Sequence, residues 1–299
     1  EGGISFISHN LGKKMNVPKE VTRLGGIHYV GHLSGRGDRL SSKGRLETGA
    51  GNADIQLSKN GKNIQAKIAT KGIALDRILA NKTFGQVATT IEVKGNKDHL
   101  VAKGEISRFD YNKYSFRNIS LDGQYNHGIV KGLASIDDPN IRVDIEGDYA
   151  IKGNKYAINT HIDHLQPSIL GVKMADKGYS LDDIDLSANN QSSDSYLDLE
   201  APFMSLHARG QYNLSTLVSS IQNMIAEKLP TLPGIKKTKA KGDNDFTLQG
   251  NIYSTEVLNK ILGIPLAISS PIHINGNISE QSNELNLYLS APLFSYNGK

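Results

Sequence analysis

Apolar and polar residues alternate along most of the chain. In residues 141–149 the odd positions include Ile141, Val143 and Ile145, whereas every even position carries a charged side chain. Because successive side chains of a β-strand point to opposite faces, this spacing predicts a strand with one apolar and one charged face. The same alternation recurs in eight further stretches, at residues 53–57, 64–68, 119–121, 156–162, 184–186, 246–248, 272–278 and 285–289.

Turn-forming residues separate these stretches, as in residues 59–61, 127–128 and 153–155, which combine Gly with Asn, Lys or His. The spacing of strands and turns predicts an all-β fold, a long antiparallel meander of about 18–22 strands. We expect an elongated, curved sheet whose apolar side lines an open hydrophobic groove. A closed sandwich, in which two apolar faces cover each other, is the alternative.

One stretch has strong helical periodicity, residues 214–229, and Pro230 follows it. This amphipathic helix is expected either to place its apolar side in the groove as a plug or to cover a strand edge. The residues predicted to form its apolar side are Leu217, Ile221, Met224 and Ile225. Shorter helical turns are predicted at residues 75–79 and 255–262, and a lysine-rich loop at residues 230–245.

Several motifs occur twice. Residues 114–123 align with residues 179–188, with Tyr, Ser, Ile and Leu identical in register, and a Leu-x-Leu-x-Ala-Pro motif begins at Leu197 and again at Leu287. The offsets are unequal, so we interpret residues 1–299 as a segment of one array of degenerate strand repeats. Because the second Ala-Pro copy is followed closely by Lys299, we expect the natural protein to continue beyond this chain.

Composition and charge argue against several classes of function. The 299 residues contain no Cys and no Trp, which excludes a thiol nucleophile, a disulfide framework and a Cys-ligated zinc site. The net charge is only +4, and Lys and Arg are scattered among nearly as many acidic residues. We therefore expect no nucleic-acid partner.

The histidines do not form a metal-binding pattern. His161 and His164 are three positions apart, which places them on opposite faces of a strand, and His28 and His32 are about 13 Å apart on an extended backbone. Neither spacing suits joint ligation. The acidic clusters are expected to be solvated side chains of turns and of the polar strand face: Asp137, Asp138, Asp182, Asp183 and Asp185. We therefore predict no metal, no cofactor and no enzymatic activity.

The succession of strand patterns resembles the AsmA-like family and, within it, the TamB-like components of the translocation and assembly module. The resemblance covers most of residues 53–299. It rests on the 114–123 strand, the 135–140 hairpin, the stretches 141–147, 161–170 and 178–188, and the two Leu-x-Leu-x-Ala-Pro strands. These are strand patterns and not catalytic signatures.

The resemblance implies a β-groove in the periplasm. Such proteins are tethered to the inner membrane by an N-terminal helix, which we expect to lie outside this chain. Their far end meets the outer membrane, where they pair with a TamA-like β-barrel of the Omp85 type. The implied activity is phospholipid transport between the two membranes, with support of outer-membrane protein assembly.

An apolar groove suits this activity because each CH₂ group costs about 0.8 kcal/mol in water, so a long acyl chain costs on the order of 12 kcal/mol. The predicted groove wall consists of the apolar strand positions Ile141, Val143, Ile145, Ile158, Ile162, Leu197, Leu199, Ile272, Ile274, Leu285, Leu287 and Leu289. Two other functions use the same strands: a scaffold or chaperone that pairs its edges with unfolded barrel proteins, and a structural or adhesive β-repeat.

Overall fold

The computed structural model describes residues 19–191, 195–228, 238, 242–290 and 293–298. Strands account for 63% of the structure and helices for 11%. Of the 19 strands among the described residues, 17 form one antiparallel sheet that is not closed into a barrel, and two form a small separate sheet. The predicted all-β class is therefore confirmed.

The chain divides into two compact units, Glu1–Asp144 with Ile169–Gly171, and Ile145–Ser168 with Val172–Lys299. In the first unit the helices are α1 (Lys19–Thr22) and α2 (Leu75–Leu79). Its strands are β1 (Ile27–Arg36), β2 (Arg39–Thr48), β3 (Gly51–Asn60), β4 (Asn63–Ala74), β5 (Phe84–Gly95), β6 (His99–Tyr111), β7 (Tyr114–Phe116), β8 (Ile119–Asn126) and β9 (Ile129–Asp138).

Strand β10 (Ile141–Ala150) contains the boundary between the units. The second unit has helices α3 (Leu214–Lys228) and α4 (Glu256–Leu262), and a 3-10 turn covers Pro167–Leu170. The strands that follow β10 are β11 (Lys155–Leu165), β12 (Leu181–Asn189), β13 (Tyr196–Ala201), β14 (Met204–Gln211), β15 (Asp245–Ile252), β16 (Leu266–Ile268), β17 (Ile272–Ser279), β18 (Glu284–Ser290) and β19 (Phe294–Tyr296).

Strand pairing follows chain order within each unit. In the first unit β1 to β6 pair consecutively, β6 also pairs with β7 and β8, and β8 pairs with β9. In the second unit β11 to β15 pair consecutively, β15 pairs with β17, and β17 with β18. Strands β16 and β19 form the separate sheet. Short turns between antiparallel neighbours thus produce the predicted meander.

The sequence repeat at 114–123 and 179–188 has a local structural counterpart. Asn118 and Asp183 occupy equivalent positions and both adopt positive φ, 51° and 54°. Asn and Asp tolerate this left-handed conformation better than other residues with side chains. In each copy the next residue, Ile119 or Ile184, is a buried strand residue. The repeat therefore encodes a residue with positive φ directly before a buried isoleucine, at the start of β8 in one copy and inside β12 in the other.

The predicted helices are present, at Leu75–Leu79, Leu214–Lys228 and Glu256–Leu262. The predicted lysine-rich loop, residues 230–245, lies largely outside the described residues. In its described part, residues 242–244 precede β15, which begins at Asp245, the last residue of the predicted loop. Among the residues described, no helix has the length and apolar character needed to cross a membrane.

Candidate functional site

The strand register of the second unit aligns apolar side chains into transverse rows. One row crosses six strands and consists of Leu186, Leu199, Leu206, Gly250, Ile274 and Leu289. A neighbouring row crosses seven strands and consists of Ile158, Ala188, Leu197, Ala208, Leu248, Gly276 and Leu287. Seven strands span about 29 Å across the sheet. We call the face that carries these two rows the second apolar face.

Nine of the 12 predicted wall residues lie on the second apolar face: Ile158, Ile162, Leu197, Leu199, Ile272, Ile274, Leu285, Leu287 and Leu289. Most are half-buried, but Leu287 and Leu289 on β18 are 49% and 60% exposed. Such exposure is unusual for aligned leucines of a folded sheet.

The other three predicted wall residues share one side of β10. Ile141 and Val143 are almost buried, at 9% and 8% exposure, whereas Ile145 is 37% exposed. Burial therefore changes within two residues along the same strand.

The first unit has an equivalent apolar face, which we call the first apolar face. Ile55, Ile68, Ile91, Gly104 and Leu121 form one of its rows across β3, β4, β5, β6 and β8. Ile68 and Leu121 are 41% and 37% exposed, although they lie in the middle of paired strands. The core of a closed sandwich excludes water from such positions, so the described part of this face is not covered as a sandwich core is.

Glycine on the apolar faces leaves room for a branched side chain of the next strand. A Cβ atom at Gly250 would lie 3.0 Å from Leu206 Cδ1, and one at Gly276 would lie 3.2 Å from Leu287 Cδ1. The leucine side chains thus lie against the neighbouring strand where a larger residue would crowd them. Close packing of leucine side chains against neighbouring strands therefore accounts for some of the chain's 30 glycines.

The opposite side of the first unit's strands carries ion pairs between residues directly opposite each other. They join Arg45 to Asp54 at 2.9 Å, Lys67 to Glu92 at 2.7 Å and Lys103 to Asp122 at 2.7 Å. These cross-strand pairs are exposed to solvent, which screens them, so each contributes little to stability. Their exposed side chains show that this side of the sheet faces solvent.

Helix α3 packs on one end of the second apolar face. Met224 belongs to a buried cluster with Ala208, Tyr212, Phe246 and Ile278, and Leu217, Leu248 and Leu285 pack around it. Of the four residues predicted for the apolar side of the helix, Leu217 and Met224 therefore contact the face, while the side chains of Ile221 and Ile225 lie outside the described part. The contacts favour the face over a strand edge, and a plug role stays a prediction.

A buried polar network holds the beginning of α3 beside β15 and the end of β17. Asn244 and Ser220 are each only 1% exposed, and Asn244 Nδ2 donates to Ser220 Oγ at 3.0 Å and to Glu280 Oε2 at 2.7 Å. The backbone N–H groups of Asn244 and Gly242 also donate to Glu280, and that of Asn213 donates to Asn244 Oδ1 at 2.8 Å. Each polar group of the network finds its hydrogen-bond partners only when α3, β15 and β17 are in this arrangement. The network therefore fixes the position of α3 on the second apolar face.

Glu280 has a lowered pKa in this network. Burial by itself raises the pKa, but hydrogen bonds donated by Ser220, Asn244 and Gly242 favour the carboxylate and outweigh burial. The helix anchor therefore contains an ionised side chain at neutral pH.

Asp138 corrects the expectation of solvated turn carboxylates. It is 2% exposed and accepts hydrogen bonds from the Tyr114 hydroxyl, from Arg117 N at 3.1 Å and from Asn140 N at 3.0 Å. The hydrogen bonds replace water around the carboxylate and join β7 to the turn that follows β9. Asp137, Asp182, Asp183 and Asp185 are exposed, as predicted.

His161 and His164 each bind a separate carboxylate. His161 Nδ1 lies 2.8 Å from Asp185 Oδ1, and His164 Nδ1 lies 2.7 Å from Asp182 Oδ1. The hydrogen bond to Asp185 is the main cause of a raised pKa of His161. Within the described ranges, no three His, Asp or Glu side chains converge as metal ligands.

Sequence reasoning missed the polar anchor of α3. Asn244 and Glu280 lie 36 positions apart, and only the pairing of β15 with β17 brings them together. A hydrogen bond donated to Glu280 by the backbone of Asn244 leaves no trace in a sequence pattern. Comparison of the chain with protein-family models, curated proteins and solved structures finds no match.

Proposed function

We propose that the protein is a non-enzymatic lipid carrier, a periplasmic bridge segment that moves phospholipid along an apolar groove from the inner to the outer membrane. The observation that carries the proposal is the second apolar face, whose two rows cross six and seven strands without a charged residue. The exposed Leu287 and Leu289 belong to those rows. Lipid tails are apolar and are therefore suited to cover such a surface.

The energetics favour an acyl chain as the occupant. Each methylene group that leaves water for an apolar surface gains about 0.8 kcal/mol, without any specific hydrogen bond. A polar headgroup stays in water beyond the face. No catalytic residue is required, because the carrier only replaces water along the route.

The partners follow from the resemblance to AsmA-like proteins. We propose an inner-membrane anchor outside this chain, a TamA-like barrel of the Omp85 type in the outer membrane, and a contribution to outer-membrane biogenesis. The exposed leucines of β18 are compatible with lipid transfer to a partner.

Site-specific photo-crosslinking in cells tests the lipid carrier directly. Ile274 lies on the second apolar face, whereas its neighbour Asn275 points to the opposite side of β17. A photo-reactive residue at position 274 is expected to yield phospholipid adducts, and one at position 275 is expected to yield far fewer. Equal yields at both positions, or no lipid at either, would contradict the proposal.

A scaffold for barrel assembly is the second candidate function. Its supporting observation is β18, where Tyr288 is 71% exposed on one side of the strand and Leu287 and Leu289 are exposed on the other. Exposed side chains on both faces of a strand can contact an extended segment of another protein that is added to the sheet. Crosslinks from position 288 to outer-membrane proteins, with no lipid adducts at position 274, would favour the scaffold. A structural or adhesive β-repeat predicts neither product.

A further inference from the structure

A concavity of about 830 Å³ lies on the charged side of the first unit's sheet. One transverse row of its lining residues is Arg45, Asp54, Ala69, Thr90 and Glu105, from β2 to β6. The first apolar face lies on the other side of the same strands. The volume falls within the range of small-molecule sites, roughly 300–1,000 Å³.

Irregularities in three successive strand pairings meet at this concavity. The register shifts between Asn52 and Asp54 in the β3–β4 pair, between Thr70 and Ile73 in the β4–β5 pair, and between Ala88 and Thr89 in the β5–β6 pair. Bulges bend strands and redirect side chains, and they recur beside binding sites. Small lining residues, Ala69, Gly72 and Ala88 among them, leave the space between the strands open.

The lining contains two positive side chains, Arg45 and Lys71, and two negative ones, Asp54 and Glu105. Only Arg45 and Asp54 form an ion pair with each other among these four. Arg45 is bound to Asp54 through Nε at 2.9 Å and Nη2 at 3.4 Å. Lys71 and Glu105 are both exposed, and neither forms an ion pair with another described residue. The site therefore has one cation and one anion available to a ligand.

The Lys71 ammonium is close enough to Asp54 in the concavity to influence the pKa of that carboxyl group. The hydrogen bond from Arg45 is the largest cause of a lowered pKa of Asp54, and the Lys71 ammonium lowers that pKa further. Glu105 on β6 is two strand spacings from Ala69 in the same row, and Lys71 lies two residues further along β4, so the backbones of Lys71 and Glu105 are on the order of 12 Å apart. Their side chains and a ligand of a few methylene groups can span that separation together.

We propose that this concavity binds a small water-soluble zwitterion of the ω-amino acid class, with its ammonium group at Glu105 and its carboxylate at Lys71. Arg45 and Asp54 stay paired at the side of the site. Opposite charges at the two ends of the ligand match the two charges that the protein leaves unmatched, and the uncharged methylene chain crosses the small residues between them.

This proposal is independent of lipid transport. The ligand has no acyl chain, and the concavity lies on the other side of the sheet from the first apolar face. Failure of either proposal therefore leaves the other standing.

Isothermal titration of the full chain with γ-aminobutyrate tests the site. Saturable binding is expected, and butylamine and butyrate, which each carry one of the two charges, are expected to bind at least roughly tenfold more weakly. No saturable binding of γ-aminobutyrate at millimolar concentration, or equal binding of butyrate, would overturn the proposal. β-Alanine and ε-aminocaproate as shorter and longer probes measure the charge spacing.

Substitutions locate the binding to this concavity. Lys71→Met and Glu105→Gln are each expected to weaken γ-aminobutyrate binding by roughly tenfold, while Lys131→Met, on the same side of the sheet but outside the lining, leaves it unchanged. The double variant Lys71→Glu with Glu105→Lys is expected to recover binding relative to either charge-reversal single variant. Unchanged affinity in both neutralised variants would overturn the assignment, and circular dichroism checks that each variant is folded.

Discussion

At the residue scale, neighbouring apolar positions on one face of a strand differ in their exposure to solvent. Val143 is 8% exposed and Ile145 is 37% exposed, although both point to the same side of β10. A buried position contributes its full transfer free energy to folding, about 1.5–3 kcal/mol for a side chain of this size. A half-exposed one contributes less and remains accessible to a ligand.

We therefore expect Ile145→Asp to remain folded and to lose acyl-chain binding. The new carboxylate reaches water, so the free energy of unfolding is expected to fall by only about 1 kcal/mol, but its charge opposes an acyl chain on the wall. The measurement combines urea unfolding with mass spectrometry of co-purified lipid.

Val143→Asp is the matched comparison on the same strand. It places a charge at a buried position and is expected to lower the free energy of unfolding by on the order of 3 kcal/mol or more. Equal destabilisation by the two substitutions would show that Ile145 is also a core residue and not a wall residue.

At the scale of elements, α3 is located on its face by both apolar and polar contacts. Met224 supplies an apolar contact, and the Asn244–Glu280 network supplies the polar ones. An apolar contact alone permits the helix to slide along the face, whereas directional hydrogen bonds define one position. The network therefore determines how much of the second apolar face remains uncovered.

Glu280→Gln is expected to loosen α3 at neutral pH. The folded-state pKa of Glu280 is lowered, so its stabilising contribution is complete above the unfolded-state value of about 4.3 and disappears as the pH falls through the folded-state pKa. At neutral pH the α3 amides of the variant are expected to exchange hydrogen faster than those of the wild type, and the difference is expected to vanish in acid.

Glu284→Gln serves as the control for this measurement, because Glu284 is an exposed residue at the start of β18. It is expected to leave α3 exchange unchanged. If Glu280→Gln and wild type exchange alike at neutral pH, the carboxylate does not anchor the helix.

At the scale of the whole molecule, the charged and apolar residues are separated by strand face in each unit. Cross-strand ion pairs such as Lys67–Glu92 lie on one side of the first unit's sheet, and rows such as Ile68–Ile91 lie on the other. A protein with apolar faces of this extent gains stability from any ligand that covers them in the folded state.

Removal of bound lipid is therefore expected to lower the melting temperature. A ligand at a concentration 100 times its Kd stabilises a folded protein by about 2.7 kcal/mol, which corresponds to roughly 5–10 °C for domains of this size. Delipidated protein is expected to regain that stability with a long-chain fatty acid and not with hexanoate, which carries the same headgroup. Equal melting temperatures before and after delipidation would contradict a lipid-covered face. Differential scanning calorimetry provides the measurement.

Much of the strand structure was predictable because its cause is local. Alternation in residues 272–278 and 285–289 predicts β17 and β18, and the apolar spacing of Leu217 and Met224 predicts α3. The burial of Asp138 was not predictable, because its partner Tyr114 lies 24 positions earlier in the chain. The bulges beside Asp54 and Thr89 were also missed, since pairing partners decide where a register shifts.

The sequence alone determined which residues share a strand face, because the two-residue period of a β-strand is a property of the backbone. It therefore specified the apolar and the charged face of each strand. Only the tertiary structure decided which apolar positions are covered, as Val143 and Met224 are, and which stay exposed, as Ile145 and Leu289 do. Coverage depends on contacts between residues far apart in the chain, and the two-residue pattern contains no information about those contacts.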